Sequence, residues 1–528
     1  MRPAPSASAG LVRYPSAQDL HYGSARGRWV LLAMVLGSGM AGIDATIVNV
    51  ALPRIGTDLH AGLTSLQWTL NAYTLTLAGL LLIGGSLGDR LGRRRVFLVG
   101  VVWFAAASAV CAAAPTAGVL VAARALQGVG GALLTPGSLA ILQTSFAKED
   151  RSTAVGAWSG LGGVATAIGP ILGGALVQLG PSTWRLAFLI NIPVAAVIVP
   201  LTLRHVPESH DAEATGRIDV TGAALAALGL GGVVFGLTEG PSAGFGGRAG
   251  IALAVGVVAM LAFGLVEART ASPMLPLGLF RSQQFSAANV VTFVVYAALG
   301  GALFLLPLQL QRVAGFQPVA AGTSLLPVTL VMLLLSARAG RLAQRFGPRP
   351  LMTGGPLLVA AGLVLMTRIG AGASYLTDVL PAVLVFALGL SMNVAPLTST
   401  VLAAAPDHQA GIASAVNNDV ARAAALLAVA VLPGLAGITT ASYRSPATFS
   451  TGFQHGMLIA AALCALGGVL AFATIRKPAV EPVARVVDKQ APAEPSHCSL
   501  SGPPLQPEEP EDAGQGAAAA SAASAARS

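Results

Sequence analysis

The sequence predicts an all-α integral membrane protein with 14 transmembrane helices, and three observations carry that prediction. The 528 residues are 54% hydrophobic and only 10% charged, against about 25% charged in soluble domains. The apolar residues fall into runs of about 20 or more, long enough for a helix rising about 1.5 Å per residue to cross a bilayer core. A short charged stretch between two runs, Gly85-Ser86-Leu87-Gly88-Asp89-Arg90-Leu91-Gly92-Arg93-Arg94-Arg95, recurs at Gly340-Arg341-Leu342-Ala343-Gln344-Arg345-Phe346-Gly347-Pro348-Arg349. Both copies keep the spacing Gly-x-Leu-x-x-Arg-x-Gly-x-Arg, which marks two related halves.

Taken in order, residues 1–27 are rich in Pro, Ser and Ala and read as a disordered tail. Apolar runs at 29–51, 67–87, 96–114, 118–143, 153–178 and 185–203 make an N-terminal six-helix bundle over 28–204. Residues 205–284 hold a polar linker, two more runs at 219–238 and 250–267, and a Pro-rich linker. Runs at 285–311, 318–337, 350–368, 376–402, 410–438 and 455–475 make a C-terminal six-helix bundle over 285–475. The tail 476–528 is rich in Pro, Glu, Ala and Ser and reads as disordered. The two charged loops lie about 255 residues apart with eight spans between them, where a six-plus-six arrangement has six. The pair at 219–267 is therefore the insertion.

Charge placement sets the orientation. With the N-terminus inside, the inner loops carry Arg90, Arg93, Arg94, Arg95, Lys148, Arg151, Arg338, Arg341, Arg345 and Arg349 among others, while the outer loops carry Arg54, Arg185, Arg248, Arg312, Arg368 and Arg444. That bias of about two to one puts both tails in the cytoplasm. The net charge of +9 is thus topological and does not point to nucleic acid. The first run is too long for a signal-peptide core and reads as a span. Cys111, Cys464 and Cys498 have no metal or redox spacing and read as free thiols. The chain contains no Gly-x-x-x-x-Gly-Lys-Ser/Thr, its only lysines being Lys148, Lys477 and Lys489, and its seven histidines do not cluster. Nothing here points to an enzyme, a metal site or a cofactor.

Several embedded residues are candidates for chemistry. Asp44 lies in span one, roughly 6 Å outward of the run's midpoint. A carboxylate there is costly unless paired, protonated or facing water. It reads as a proton-titrating or cation-attracting site in a central cavity, or as a structural contact between helices. Arg124 sits several residues into span four. An arginine stays charged in almost any setting, so it tunes a neighbouring acid or snorkels to the interface rather than carrying a proton. Asp419 and Arg422 are three apart in span thirteen, where they can pair with each other or face a cavity. Glu239 and Asp378 sit near span ends and read as interfacial.

These residues resemble motifs of the major facilitator superfamily, in its 14-span drug:proton antiporter branch, over about residues 28–475. The stretch 85–95 looks like that family's signature between spans two and three. The resemblance implies that Asp89, Arg90 and Arg93, on the turn made by Gly88 and Gly92, form a charge relay locking the two bundles in one state. Gln344 departs from the pattern, so the second copy is expected to lack a matching latch. Ile43–Pro53 resembles the first-span motif, and Arg124–Ala132 the span-four motif, whose arginine supports proton coupling. Gly163–Gly174, with Gly169, Pro170, Gly173 and Gly174, looks like the antiporter motif associated with exporters. There Pro170 bends the helix and frees a carbonyl, while the glycines allow close packing, as in a hinge. Gln67-Trp68 with Tyr73, Trp184-Arg185 with Phe188–Pro193, and Pro276–Phe280 are further matches, read as packing and interface anchors.

The implied function is proton-coupled antiport by alternating access, exporting drugs or antibiotic-like small molecules across a bacterial cytoplasmic membrane. Such a protein confers antibiotic resistance as a multi-pass monomer in the plasma membrane. Its partners would be an amphipathic substrate, protons and lipid, with no nucleic acid, and Asp44, Arg124 and Asp419 would serve coupling. The alternatives are a dedicated exporter of one endogenous metabolite, a non-transporting sensor, and the permease part of an ATP-driven pump.

Overall fold

Each apolar run forms a helix, and 14 are long and apolar enough to cross a membrane. The structure, a computed structural model, describes residues 20–211, 219–270, 273–406 and 409–476. The spans are α1 (Ala25–Asp58), α2 (Leu63–Leu91), α3 (Arg93–Ala113), α4 (Ala117–Ser145), α5 (Lys148–Gln178), α6 (Thr183–His205) and α7 (Val220–Ala243). They continue as α8 (Arg248–Arg269), α9 (Gln283–Arg312), α10 (Pro318–Phe346), α11 (Pro348–Met366), α12 (Tyr375–Ala403), α13 (Gly411–Leu435) and α14 (Pro446–Thr474). No strand occurs among the described residues, only one isolated bridge between Leu20 and Phe146. Helices satisfy their own backbone groups, which is what a hydrocarbon solvent demands.

Local chemistry sets the helix ends. Ser24, Thr116, Asp219 and Ser282 each cap a helix by accepting a backbone N–H with the side chain. Gly92 and Gly347 stand at the same point of the two repeated loops, between α2 and α3 and between α10 and α11. Both take left-handed backbone, with φ of +107° and +87°, which a side chain would strain. The repeat is thus kept in backbone geometry as well as in residue type.

Helices α1–α6 pack among themselves, and so do α9–α14. The inserted α7 and α8 form a close pair, Gly232 and Gly256 letting their backbones meet, and α7 rests on both α2 and α13. The pair therefore lies along the seam between the two six-helix groups. The face of α8 away from that seam is bare and apolar, with Ile251, Val258 and Leu261 exposed, as suits a surface in lipid.

Hydrogen bonds between the two groups all fall at the end away from the charged loops, among the described residues. Gln67 on α2 donates to the Val429 carbonyl at 2.6 Å, and Gln311 on α9 donates to the Val50 carbonyl at 2.9 Å. Towards the charged-loop end α5 meets little: an added Cβ at Gly156, Gly160, Gly162 or Gly163 would find no atom within 4 Å.

The N-terminal tail is a correction. Expected to be disordered through residue 27, it is ordered from Leu20. His21 and the Tyr22 amide bond the Asp150 carboxylate at 3.2 and 2.9 Å, and α1 starts at Ala25. A lone capping serine and two side-chain contacts carry no hydropathy signal. Residues 1–19, 477–528 and Cys498 lie outside the described residues, so the tail expected from 476 is described only at Arg476.

Candidate functional site

Asp44 and Arg124 form one buried ion pair inside the N-terminal group. Arg124 Nη1 donates to Asp44 Oδ2 at 2.5 Å, and the side chains are 1% and 0% exposed respectively. The other carboxylate oxygen accepts from Gln127 Nε2 at 2.8 Å and Asn191 Nδ2 at 3.1 Å. Both amides also donate to Ser108 Oγ, at 2.7 and 3.1 Å. Arg124 Nε donates to the Thr69 carbonyl at 3.0 Å, and its guanidinium lies 4.3 Å from the centre of the Tyr73 ring. Five helices, α1, α2, α3, α4 and α6, thus converge on one charge pair. Such saturation is what allows a charge in this setting, since a buried pair needs its remaining lone pairs and protons satisfied.

This geometry alters the reading of Asp44. The carboxylate does not face the central cavity. That cavity, about 400 Å³, is lined by Ala41, Gly42, Ala45 and Thr46 of the same helix, with Tyr73, Trp158 and Arg422 on other walls. Asp44 points the other way, into the bundle, and Tyr73 stands between the pair and the cavity. Arg124 does not snorkel. Gln127 and Asn191 lie inside the span-four and span-six matches but carry no role of their own there, and Ser108 lies outside every match. Their signal was available: each is a polar side chain within an apolar stretch.

The hinge motif packs in two directions. Pro170 removes the N–H that would bond the Thr166 carbonyl, and the Thr46 hydroxyl of α1 lies 3.0 Å from it, sharing its one proton between that carbonyl and those of Gly42 and Ile43 on its own helix. A Cβ on Gly169 would collide with Thr46 and one on Gly173 would crowd Ile47, both on α1. Gly174 faces the other group, where a Cβ would lie 2.5 Å from Val319 Cα. A Cβ on Gly322 of α10 would in turn collide with the Pro170 carbonyl. The same device recurs in α13, where Pro433 frees the Val429 carbonyl that Gln67 uses.

The charged loop is tied locally. Arg93, the first residue of α3, pairs with Asp89 near the end of α2 at 2.7 Å, across the break at Gly92. Glu208, from the linker after α6, accepts from the Arg94 amide at 3.0 Å and lies 3.7 and 3.6 Å from the Arg94 and Arg95 side chains. Gly92 is required here, because a Cβ would meet Glu208. Gly88 is not a close approach: the nearest atoms to an added Cβ are 3.9 Å away. Gly84, one turn earlier, has that role against Ala132. Arg90 Nε is buried without a partner. Among the described residues, no hydrogen bond or ion pair from these side chains reaches the C-terminal group, and Gln344 in the second loop is exposed.

Asp419 and Arg422 do not form an ion pair, although their spacing allows one. Asp419 Oδ1 is buried without a hydrogen-bond partner, and the residue lines a second, apolar cavity of about 210 Å³ with Met260 and Phe263 of α8. Arg422 lines the central cavity. The helix turn that makes pairing possible here separates the two groups to different sides. Glu239 is engaged too, accepting from Trp68 Nε1 at 3.1 Å. Trp184 Nε1 donates to Asp58 at 2.8 Å and pins the start of α6 to the end of α1.

The family model described as Major Facilitator Superfamily matches residues 34–430. The chain belongs to the major facilitator superfamily. It is 36% identical over 457 residues to the puromycin resistance protein pur8 of Streptomyces alboniger, covering 85% of this chain and 90% of that one. It is 37% identical to the tetracenomycin C resistance and export protein of Streptomyces glaucescens, covering 77% and 76%. It is 34% identical to the multidrug efflux pump LfrA of Mycolicibacterium smegmatis, covering 84% and 87%. Among solved structures, a D-xylose-proton symporter matches with a TM-score of 0.61 at 16% identity, covering 86% of this chain and 99% of that one. A bacterial homologue of the human lysosomal transporter Spinster, inward-facing and unoccupied, matches with a TM-score of 0.61 at 17% identity, covering 86% and 98%. The structural likenesses carry the fold. This superfamily member is a multi-pass membrane transporter.

Proposed function

We propose that the protein is a proton-coupled antiporter that exports drugs or antibiotic-like small molecules across the cell membrane by alternating access. The observation that carries this reading is a central cavity between two six-helix groups bonded at one end only, with a buried Asp44–Arg124 pair behind its wall. The relatives' names as resistance and export proteins support the direction of transport. Both termini are cytoplasmic on the arginine bias. The charged loops then face the cytoplasm, and the bonded end faces outward.

Asp44 is the proton acceptor in this reading. Its carboxylate holds Arg124, and through Arg124 the backbone of α2 at Thr69. A proton on Asp44 removes the charge that holds the guanidinium, leaving α1, α2 and α4 free to shift relative to one another. Tyr73 touches both Arg124 and the cavity, so a bound substrate and a bound proton would compete through that ring. The Gly169–Gly174 face of α5 closes on α10 when the outer end is shut. Asp89 and Arg93, with Glu208, hold the cytoplasmic end of α2 and α3 as one piece during the change. Asp419 is a second coupling candidate. The protein works as a monomer, without a cofactor, on the proton gradient.

A narrower reading, export of a single endogenous metabolite, is favoured by relatives named for one compound each: puromycin, tetracenomycin C and methylenomycin A. Proteoliposomes with an imposed pH gradient and a panel of such compounds separate the two. Broad proton-driven movement supports multidrug export, and one mobile compound supports the narrow reading. No movement of any compound supports a sensor. Undiminished export by Asp44→Asn would remove Asp44 from coupling.

A further inference from the structure

The central cavity has an electrostatic character opposite to the one Asp44 first implied. Its wall carries one charged side chain, Arg422 of α13. That guanidinium has no ion pair and no hydrogen bond among the described residues. The two acids embedded in the neighbouring spans are spoken for or turned aside. Asp44 is closed off by Arg124, Gln127 and Asn191. Asp419, one turn before Arg422, lines the other cavity and forms no ion pair with it, although the two charges still act on each other across the helix. Trp158 of α5 lines the same cavity, its Nε1 buried and without a hydrogen-bond partner. Several wall hydroxyls spend their protons elsewhere, Ser38 on Met34, Thr46 on Thr166 and Thr166 on Gly162.

We infer that this cavity binds aromatic monoanions, such as carboxylates or acidic phenols, with Arg422 meeting the negative group and Trp158 meeting the ring. The inference rests on the export reading and names its substrate class. An arginine remains charged under all physiological conditions, and a lone one inside a membrane protein is costly to keep. A planar carboxylate or phenolate is the partner its fork of donors fits. A cation would meet a like charge with no carboxylate in the cavity to offset it. The volume of about 400 Å³ suits a ligand of drug size.

The test uses one ring system with two charges: anthracene-9-carboxylate and protonated 9-(aminomethyl)anthracene, with 9-anthracenemethanol as the neutral member. Equilibrium binding to the full-length solubilised protein is read by fluorescence anisotropy, and movement is read in proteoliposomes with a pH gradient. The carboxylate is expected to bind at least about tenfold more tightly than the ammonium. Arg422→Gln should erase that preference, while Arg422→Lys should keep it. Equal or tighter binding of the ammonium by the wild-type protein overturns the inference. So does an intact preference in Arg422→Gln. If Arg422→Gln does not fold, the wild-type ratio and Arg422→Lys still decide. Arg422-dependent binding without pH-driven movement supports the site and removes export. Movement of 9-anthracenemethanol without charge discrimination supports export and removes the site.

Discussion

Asp44→Asn should destabilise the N-terminal helices by about 3–5 kcal/mol, the cost of leaving a buried charge without its partner. The structure explains why asparagine cannot substitute quietly. Asp44 accepts on both oxygens, from Arg124 on one and from Gln127 and Asn191 on the other. An amide has one oxygen and one NH2, so either orientation sets a donor against a donor. Water cannot rescue the guanidinium, because its side chain is 1% exposed. The assay is reversible unfolding in mixed micelles, followed by tryptophan fluorescence, on the wild type, Asp44→Asn, Arg124→Met and the double variant. Replacing both charges by neutral groups removes the uncompensated ion, so the double variant should lose much less than the sum of the singles. A loss under about 1 kcal/mol in Asp44→Asn, or full additivity in the double variant, would refute the view that the pair is closed and dry. Transport in the same variants tells coupling from scaffolding: a stable double variant that still exports against a pH gradient argues for scaffolding alone.

Three further perturbations follow from the packing. Gly174→Ala places a Cβ 2.5 Å from Val319 Cα. It should disfavour the outward-shut state by about 1–3 kcal/mol, a shift of about 5–150-fold, visible as a longer spin-label distance across that end. Thr46→Val leaves the Thr166 carbonyl without its partner and should cost about 1–3 kcal/mol in the same unfolding assay, while Thr46→Ser should cost much less. Asp89→Ala removes a pair whose acid is 39% exposed, so stability should fall by under about 1 kcal/mol with insertion intact. Switching should be impaired, and normal transport cycling in that variant would reduce the loop to a topological signal.

Much of the site was legible and much was not. Asp44, Arg124 and Asp419 stood out because charges in long apolar runs are rare and costly. Their partners did not, because Ser108, Gln127 and Asn191 are spread over three helices and are unremarkable one at a time. The spacing of Asp419 and Arg422 permitted a pair that the fold divides between two cavities. Gly88 and Gly84 are alike in sequence, and only the neighbouring helix decides which of them must lack a side chain.

The number of spans, the inserted pair and the two-half repeat were determined by the sequence by itself. Length, hydropathy and charged punctuation are one-dimensional quantities, and a bilayer forces any such run to be a helix. The tertiary structure alone decided which face of each helix meets which neighbour. Lipid is as apolar as a protein core, so amphipathic pattern does not mark the buried side of a span as it does in water. The direction of Asp44, the bonding of Thr46 to a carbonyl freed by Pro170, and the solitude of Arg422 in the cavity all depend on that choice of faces.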